Sequence, residues 1–502
     1  MHSRNRWLVL AILSSALFLI VIDMTVLYTA LPRLTHDLAA SASEKLWIVN
    51  AYALVVAGLL PGLGALGDRL GHKGLFVAGL VVFGIASLGA AFSPTPSILI
   101  AARALLAAGA AMMMPATLSI IRHTFEDEHE RSFAIGIWAA VASGGAAFGP
   151  VVGGLLLEYF WWGSVFLINV PIVIVALLLA VAVIPHRDGN SDRPWDLIGS
   201  IQIMIGLIGI AYTIKEVSKR LPSYEAAGIA AVAGVVFLIL FVRRQRRSTV
   251  PLVDFNLFRN RRFAAGVVAA LIASAALVGL ELVFSQRLQL VVGLSPLQAG
   301  LFILPIPVAA FIAGPLAGLA LPRIGSDRVL WTSLLMAGLG TTGFLLGYQA
   351  GAVLQIVAFA ILGFGIGAAM TAASSAIMFN APADRAGMAA SIEEVSYELG
   401  GAIGIAVLGS LMSAVYRTSF VLPNGLAVAE SAQDSIDEAL LATEALTPEA
   451  ASMLVHLAQG AFDSAFNVVL AAAAALLLAT AVLIALLAGP NQPARATMKN
   501  HQ

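Results

Sequence analysis

AILSSALFLIVIDMTVLYTALP, residues 11–32, is long and apolar enough to cross a lipid bilayer, yet an acid, Asp23, lies at its middle. About 20 apolar residues in a helix span a hydrocarbon core of about 30 Å. An ionised carboxylate at that depth costs roughly 2.5–3.5 kcal/mol on insertion scales, so such residues commonly have a function. Further acids lie inside or at the rim of apolar segments: Glu158, Glu281, Glu393, Glu394 and Glu398.

The composition is that of an integral membrane protein. The chain has 502 residues, of which 60% are hydrophobic and 11% are charged, and its mean hydropathy is +0.92. A formal net charge of +0 provides no basic field for nucleic acid. The chain has no cysteine, which excludes disulfides, thiolate metal sites and cysteine nucleophiles. The first apolar segment is too long for the core of a cleaved signal, so we expect an uncleaved first span.

Apolar runs of spanning length predict an all-α polytopic membrane protein with fourteen transmembrane helices. The predicted spans are 7–31, 46–66, 74–92, 97–121, 132–157, 163–184, 196–216, 225–242, 263–291, 297–321, 328–347, 352–377, 388–415 and 463–488.

Lysine and arginine are concentrated in every second loop, above all in the run Arg243–Arg262. Basic loops remain in the cytoplasm. We therefore expect both termini in the cytoplasm of a bacterial cell, with the protein in the inner membrane.

A repeated segment divides the chain into two halves. Gly64-Ala-Leu-Gly-Asp-Arg-Leu-Gly71 matches Gly318-Leu-Ala-Leu-Pro-Arg-Ile-Gly325, with small residues and a basic turn in register. Two related halves around a central cavity are typical of secondary transporters. The predicted domains are a first six-helix bundle, two inserted helices with a basic linker, a second six-helix bundle containing a long outer loop, and a cytoplasmic tail: 1–184, 185–262, 263–488 (loop 416–462) and 489–502. The loop is acidic, and its periodicity predicts a short amphipathic helix or a hairpin.

Arg103 and Asp23 are expected at one depth in the membrane. Arg103 lies roughly 9 Å from the outer end of the fourth span, and Asp23 lies roughly 12 Å from the outer end of the first. A guanidinium beside a carboxylate favours the charged acid, and separating the two favours proton uptake. A static structural pair is the alternative.

Glu394 and Glu398 are one helical turn apart and face the same way, whereas Glu393 points about 100° aside. Two like charges in a low dielectric do not both stay ionised, so this pair favours a proton or a cation. The alternative is a helix that begins later and leaves these acids in water.

Two motifs resemble those of a known family. The segment Gly64 to Lys73 is similar to the loop G-x-x-x-D-R-x-G-R-K of the major facilitator superfamily, with His72 in place of the usual Arg. The run from Gly145 to Gly154 resembles the G-x-x-x-G-P-x-x-G-G motif of its proton-coupled antiporters, although close packing also explains its glycines. The motif residues are Gly64, Asp68, Arg69, Gly71, Lys73, Gly145, Gly149, Pro150, Gly153 and Gly154.

The segments D-M-T-V-L-Y-T-A-L-P (23–32), L-W-I-V-N-A-Y (46–52) and W-W-G-S-V-F-L-I-N-V-P-I (161–172) extend the resemblance to nearly the whole chain. Together they identify a member of the fourteen-span drug:proton antiporter branch, of the Qac and Smv types. The resemblance implies a monomeric exporter of quaternary ammonium compounds, biguanides, dyes and viologens. It implies proton and cation binding by Asp23, Glu394 and Glu398, coupling through Arg103, and a latch at Asp68 and Arg69 that closes the inner gate.

No nucleotide loop, metal cluster or enzymatic nucleophile is predicted, so protons are the expected coupling ion. Glu158, Glu281 and Glu393 are secondary acidic candidates, and Glu281 is expected either to pair with Arg287 or to line an outer vestibule. Aromatic residues are candidates for a cavity that binds flat cations: Tyr52, Trp138, Phe148 and Tyr397. Export of a metabolite or anion bound by Arg103, and a membrane enzyme or scaffold, are the alternatives.

Overall fold

A computed structural model describes residues 3–40, 42–187, 189, 196–217, 222–248, 251–421, 430–433, 436–443 and 446–487. Within these ranges the ordered backbone is helical. The helices of the first half and of the insert are α1 (Ser3–Asp37), α2 (Ala42–Leu70), α3 (His72–Ala91), α4 (Pro96–Thr124), α5 (Glu128–Tyr159), α6 (Ser164–Leu167), α7 (Asn169–Val183), α8 (Leu197–Val217) and α9 (Tyr224–Arg247).

A 3-10 turn, Phe255–Arg259, leads from the insert into the second half. The helices of the second half are α10 (Arg261–Gln286), α11 (Pro296–Ile303), α12 (Pro305–Ile324), α13 (Ser326–Gly347), α14 (Ala352–Asn380), α15 (Ala386–Ser419), α16 (Ile436–Ala442) and α17 (Pro448–Leu487). A π-helical turn extends α10 over Arg287–Val291, and short 3-10 turns occupy Ala383–Arg385 and Glu430–Gln433.

The predicted spans coincide with helices. Among the described residues, thirteen helices are long and apolar enough to cross a membrane, and the remaining predicted span, 132–157, lies within the 32 residues of α5. The all-α polytopic fold is therefore confirmed.

The predicted loop 416–462 is too long. α15 continues to Ser419 and α17 already begins at Pro448, because the segment before residue 463 is amphipathic rather than irregular. The short helix expected in this loop is present as α16, whose Ile436 and Ala439 are buried. The predicted tail 489–502 lies outside the described residues.

Buried apolar side chains form one large cluster mainly from α1–α7 and another from α10–α17. A smaller cluster joins the insert to its linker through Ile203, Phe241 and Leu252. Ala65 of α2 and Val395 of α15 pack against it. The insert thus lies along the junction of α2 and α15, where the two halves meet.

The repeated segment has one backbone geometry in both halves. Gly71 follows α2 with φ 95° and Gly325 follows α12 with φ 84°. Each residue directly precedes the next helix. Glycine adopts positive φ without the steric cost that other residues pay, so both copies turn the chain sharply back into the membrane. The repeat predicted from sequence is therefore confirmed as a structural repeat.

Glycines hold the second half together. A Cβ added to Gly404 of α15 would overlap the backbone of Ala275 in α10, whereas one added to Gly409 would meet nothing within 4 Å. We expect Gly404→Ala to destabilise the protein by about 1–3 kcal/mol, because overpacked backbones must separate. Gly409→Ala in the same helix should be neutral, or stabilising by about 0.5–1 kcal/mol. Thermal denaturation of the purified variants measures both. Equal denaturation midpoints would contradict the packing described for α10 and α15.

Candidate functional site

The predicted meeting of Asp23 and Arg103 is present. Arg103 Nη1 donates to Asp23 Oδ2 at 2.7 Å. Both residues are buried, with exposures of 1% and 2%. They come from α1 and α4, so the pair joins segments that are far apart in sequence.

Neighbouring helices supply the remaining partners of this pair. Arg103 Nε donates to the Ile48 carbonyl at 3.3 Å, and its guanidinium lies 4.7 Å from the centre of the Tyr52 ring. Asn169 Nδ2 donates to Asp23 Oδ1 at 2.9 Å and to Ser87 Oγ at 3.3 Å. The cluster therefore draws on α1, α2, α3, α4 and α7. Sequence reasoning missed Asn169 and Ser87 as site residues; Asn169 lay in the quoted motif 161–172 without an assigned role.

The acids of α15 lie in the helix rather than in a preceding aqueous loop. α15 begins at Ala386, and Glu393 and Glu394 are 0% and 3% exposed, so the alternative of a later helix start is wrong. Glu393 Oε1 accepts a hydrogen bond from the Tyr397 hydroxyl at 3.2 Å. Glu398 is half-buried. Glu393, a secondary acidic candidate in the sequence analysis, is thus the most buried of the three acids of α15.

These acids differ from Asp23 in their partners. In the described part of the chain, Glu393 Oε2 and Glu394 Oε1 are buried without a hydrogen-bond partner. Buried polar atoms are normally satisfied, so unpartnered carboxylate oxygens indicate a place for a proton, a water molecule or a cation.

Tyr52 is within electrostatic range of acids in both halves. Its hydroxyl is within electrostatic range of Asp23 and Arg103 in the first half and of Glu394 and Glu398 in the second. The hydroxyl oxygen is buried without a hydrogen-bond partner among the described residues. Charged residues of both halves therefore act on this one aromatic side chain.

The secondary candidates lie elsewhere. Glu281 is half-buried in α10, and Glu158 is exposed near the end of α5. Arg287 does not take Glu281 as its hydrogen-bond partner. Its Nε donates to Asp463 Oδ1 at 2.9 Å, and its guanidinium lies 4.6 Å from the centre of the Tyr348 ring. The pairing of Glu281 with Arg287 is therefore wrong.

Two of the four aromatic candidates lie beside the charged residues of the site, and two contact other residues. Tyr52 is buried beside the ion pair, and Tyr397 contacts Glu393. Trp138 is 3% exposed in the core of the first half, and its Nε1 donates to Thr117 Oγ1 at 3.0 Å. Phe148 is exposed and packs edge-on against Phe18.

The glycine motif of α5 brings that helix close to Asp23. A Cβ at Gly145 would lie 3.0 Å from Val21 Cβ, and one at Gly149 would overlap Thr25. Val21 and Thr25 flank Asp23 on α1, so the motif packs α5 against the turn that carries the acid. Gly153 lies one turn further along and is buried, whereas Gly154 is exposed. The Pro150 side chain is outside the described residues.

Asp68 joins the two halves of the protein. Its Oδ1 accepts from the Gly387 amide at 2.9 Å and its Oδ2 from the Met388 amide at 3.1 Å, at the start of α15. A carboxylate is favoured at a helix N-terminus, because free amides and the helix dipole both attract it. His72 Nε2 lies 3.1 Å from the same carboxylate. Gly64 permits the approach, because a Cβ there would overlap Ser391 of α15.

The other basic residues of the loop have separate positions. Arg69 is half-buried in the last turn of α2. Lys73 Nζ donates to the Val181 and Ile184 carbonyls at 2.9 and 2.5 Å, at the end of α7. Lys73 thus completes the C-terminus of a helix in its own half.

Further contacts between the halves lie on the side of the membrane that carries Gly71, called here the Gly71 side. Arg122 Nη2 donates to the Ala381 carbonyl at 2.6 Å. The Arg131 guanidinium lies 4.5 Å from the centre of the Phe379 ring. In the same half of the membrane, α5 and α12 touch at Gly136 and Gly314, where added Cβ atoms would overlap backbone. The structure is therefore closed on the Gly71 side.

Two bundles of spanning helices that contain buried charged groups and contact each other on one side are typical of a membrane transporter. Residues 13–405 match the family model of the Major Facilitator Superfamily. The chain therefore belongs to that superfamily and is not an enzyme.

The relatives confirm the predicted resemblance to Qac- and Smv-type pumps. The methyl viologen resistance protein SmvA of Salmonella typhimurium is 42% identical, over 95% of this chain and 97% of its own. The multidrug efflux pump LfrA of Mycolicibacterium smegmatis is 39% identical, over 95% of each chain.

Solved structures show the same fold at low identity. The human organic anion transporter MFSD10 has a TM-score of 0.61 at 13% identity, over 95% of this chain and 100% of its own. The proton:xylose symporter XylE has a TM-score of 0.59 at 12% identity, over 94% and 95%.

The ion pair predicts a non-additive effect on stability. Arg103→Met should lower the free energy of unfolding by about 3–5 kcal/mol, because it leaves the Asp23 carboxylate buried and unpaired. Adding Asp23→Asn should recover most of that loss, since the uncompensated charge is gone. Thermal denaturation in detergent measures the single variants Arg103→Met and Asp23→Asn and the double variant, with the exposed Arg323→Met as control. Additive losses in the double variant would contradict the pairing.

The Asp68 contact predicts access from the Gly71 side. The chain has no cysteine, so a single Ser391→Cys reports on this junction, where Ser391 is 1% exposed. Asp68→Ala should raise the rate of labelling by a membrane-impermeant maleimide at least about tenfold, because hydrogen bonds to charged groups contribute about 1.5–3 kcal/mol each. Asp327→Ala is the matched control, since Asp327 pairs with Arg262 within the second half. Equal rates in both backgrounds would show that Asp68 does not hold the halves together.

Proposed function

We propose that this protein exports lipophilic organic cations in exchange for protons. The observation that carries the proposal is the contrast between the buried acids of the two halves. The Asp23 carboxylate has its own counter-ion in Arg103, whereas Glu393 and Glu394 each have a buried carboxylate oxygen without a hydrogen-bond partner among the described residues. A cation that binds near Glu393 and Glu394 supplies the positive charge that offsets these acids.

The proposed cycle begins with Asp23, Glu394 and Glu398 deprotonated and open to the cytoplasm. An apolar cation is attracted, because its own hydration is weak and the aromatic faces of Tyr52 and Tyr397 favour it. Rocking of the two halves then exposes the site to the other side. Protons neutralise the acids there and release the cation. The neutral carboxyls lower the cost of the return step.

The membrane potential sets the number of protons. Each proton imported in excess of the charge exported gains about 2.3 kcal/mol per 100 mV. A dication therefore needs more protons than a monocation for the same gradient.

The closed Gly71 side corresponds in this proposal to a closed cytoplasmic gate. The basic loops lie on that side, which supports cytoplasmic termini and a position in the inner membrane of a bacterium. Asp68 then acts as the latch of the outward-facing state, and the protein works as a monomer in the lipid bilayer.

The names of the relatives support the substrate class. The two relatives described above are a methyl viologen resistance protein and a multidrug efflux pump. We extend this to quaternary ammonium compounds, biguanides, dyes and viologens as substrates of this chain. Binding of an anion by Arg103 is less favoured, because Asp23 already neutralises that guanidinium at 2.7 Å.

Proton release from proteoliposomes tests the proposal. Addition of ethidium or methyl viologen to wild-type protein should release protons, and Asp23→Asn or Glu394→Gln should abolish that release, because the exchanging carboxylate is absent. Glu158→Gln is the control, since Glu158 is exposed near the end of α5. A residue whose neutralised variant exchanges as the wild type does has no part in coupling. If the wild type moves neither cation, the proposed substrate class is wrong.

A further inference from the structure

Asn169 occupies a break in the sixth span. α6 ends at Leu167 and α7 begins at Asn169. Pro171 has no backbone N–H, so the usual helical hydrogen bond is missing there. Asn169 is 0% exposed, and its amide nitrogen contacts both Asp23 and Ser87. Its amide oxygen, Oδ1, has no partner among the described residues.

The donors around Asp23 suit only its charged form. Oδ2 accepts from Arg103 and Oδ1 accepts from Asn169 Nδ2. A guanidinium nitrogen and an amide nitrogen donate hydrogen bonds and cannot accept them. Once Asp23 carries a proton, its hydroxyl group needs an acceptor, but a hydrogen-bond donor lies next to each of the two carboxyl oxygens. Export coupled to protons requires that this protonated form be stable enough to populate.

Asn169 can satisfy both forms without moving its helix. The nitrogen and oxygen of a side-chain amide have nearly the same size, so a half-turn of the amide exchanges them in place. Oδ1 then faces Asp23 and accepts its proton-bearing hydroxyl. The Ser87 hydroxyl can keep its hydrogen bond to Asn169 in both states. It accepts from Nδ2 in one state and donates to Oδ1 in the other.

We infer that Asn169 is a positioning residue for proton coupling, whose amide turns over when Asp23 is protonated and releases Arg103. The groups around it are Asp23 on α1, Arg103 on α4, Tyr52 on α2 and the neutral Ser87 on α3. Glu394 and Glu398 of α15 are within electrostatic range of Tyr52. The inference rests on the proposed proton exchange and adds a residue that titrates in neither state.

Difference infrared spectroscopy of the wild-type protein tests the turnover directly. Acidification should move the side-chain carbonyl band of one asparagine to lower frequency, because a free C=O becomes a hydrogen-bond acceptor. Carbon-13 labelling of asparagine identifies the band, and both Asp23→Asn and Asn169→Leu should remove it. A wild-type spectrum without an asparagine band would overturn the inference, whatever the fate of the variants.

The pH dependence of ethidium-induced proton release is the second readout. Asn169→Leu should move its midpoint up by about one pH unit, because the charged acid loses a stronger hydrogen bond than the neutral acid does. Asn467→Leu is the matched control, because Asn467 in α17 also has an unpartnered Oδ1 in the described chain.

The outcomes separate this inference from the proposed function. If Asn169→Leu only slows proton release and leaves the midpoint of its pH dependence unchanged, Asn169 has a purely structural role. This result would overturn the inference but not the proposed proton exchange. No proton release by the wild type at any pH would overturn the proposed function itself. If Asn169→Leu does not fold, the infrared spectrum of the labelled wild type decides.

Discussion

The buried ion pair of Asp23 and Arg103 constrains the first half of this protein. Moving charged groups out of water costs several kcal/mol per ion even after relaxation, and mutual attraction offsets this only when further hydrogen bonds satisfy both groups. The Ile48 carbonyl, the Tyr52 ring and the Asn169 amide provide those contacts from α2 and α7. The helices of the first bundle must therefore meet at one depth, and close packing of α5 on α1 through Gly145 and Gly149 follows from the same requirement.

The second half also contains buried acids, but their surroundings differ from those of Asp23. Glu393 and Glu394 are as buried as Asp23, yet no arginine or lysine forms an ion pair with them among the described contacts. The Tyr397 hydroxyl donates a hydrogen bond to Glu393 at 3.2 Å. Asp23 thus has its own counter-ion, whereas Glu393 and Glu394 have none among the described ion pairs. This difference is the basis for the proposed binding of a cation near Glu393 and Glu394 and for its proposed competition with protons.

Sequence reasoning succeeded where a single physical signal decides the outcome. Hydropathy located the spans, the cost of a charge in lipid singled out Asp23 and Arg103, and helical spacing placed the acids of α15. It failed for residue types that are common both inside and outside functional sites. Asn169 and Ser87 are neutral, so neither carries the penalty that marks a functional charge. The pairing of Arg287 with Asp463 depends on how far α17 extends before its apolar part.

The Asp68 contact and the charged site share two helices. α2 carries both Tyr52 and Asp68. α15 carries the amides that Asp68 binds and, about 10 Å along its axis, Glu394. A rigid helix cannot change its contacts at one end without moving the other. Release of Asp68 from the start of α15 therefore alters the distance between Tyr52 and the acids of the second half. Because the Asp68 contact and the buried acids lie on the same pair of helices, a movement at one end changes the geometry at the other, and this link supports the proposed alternating access.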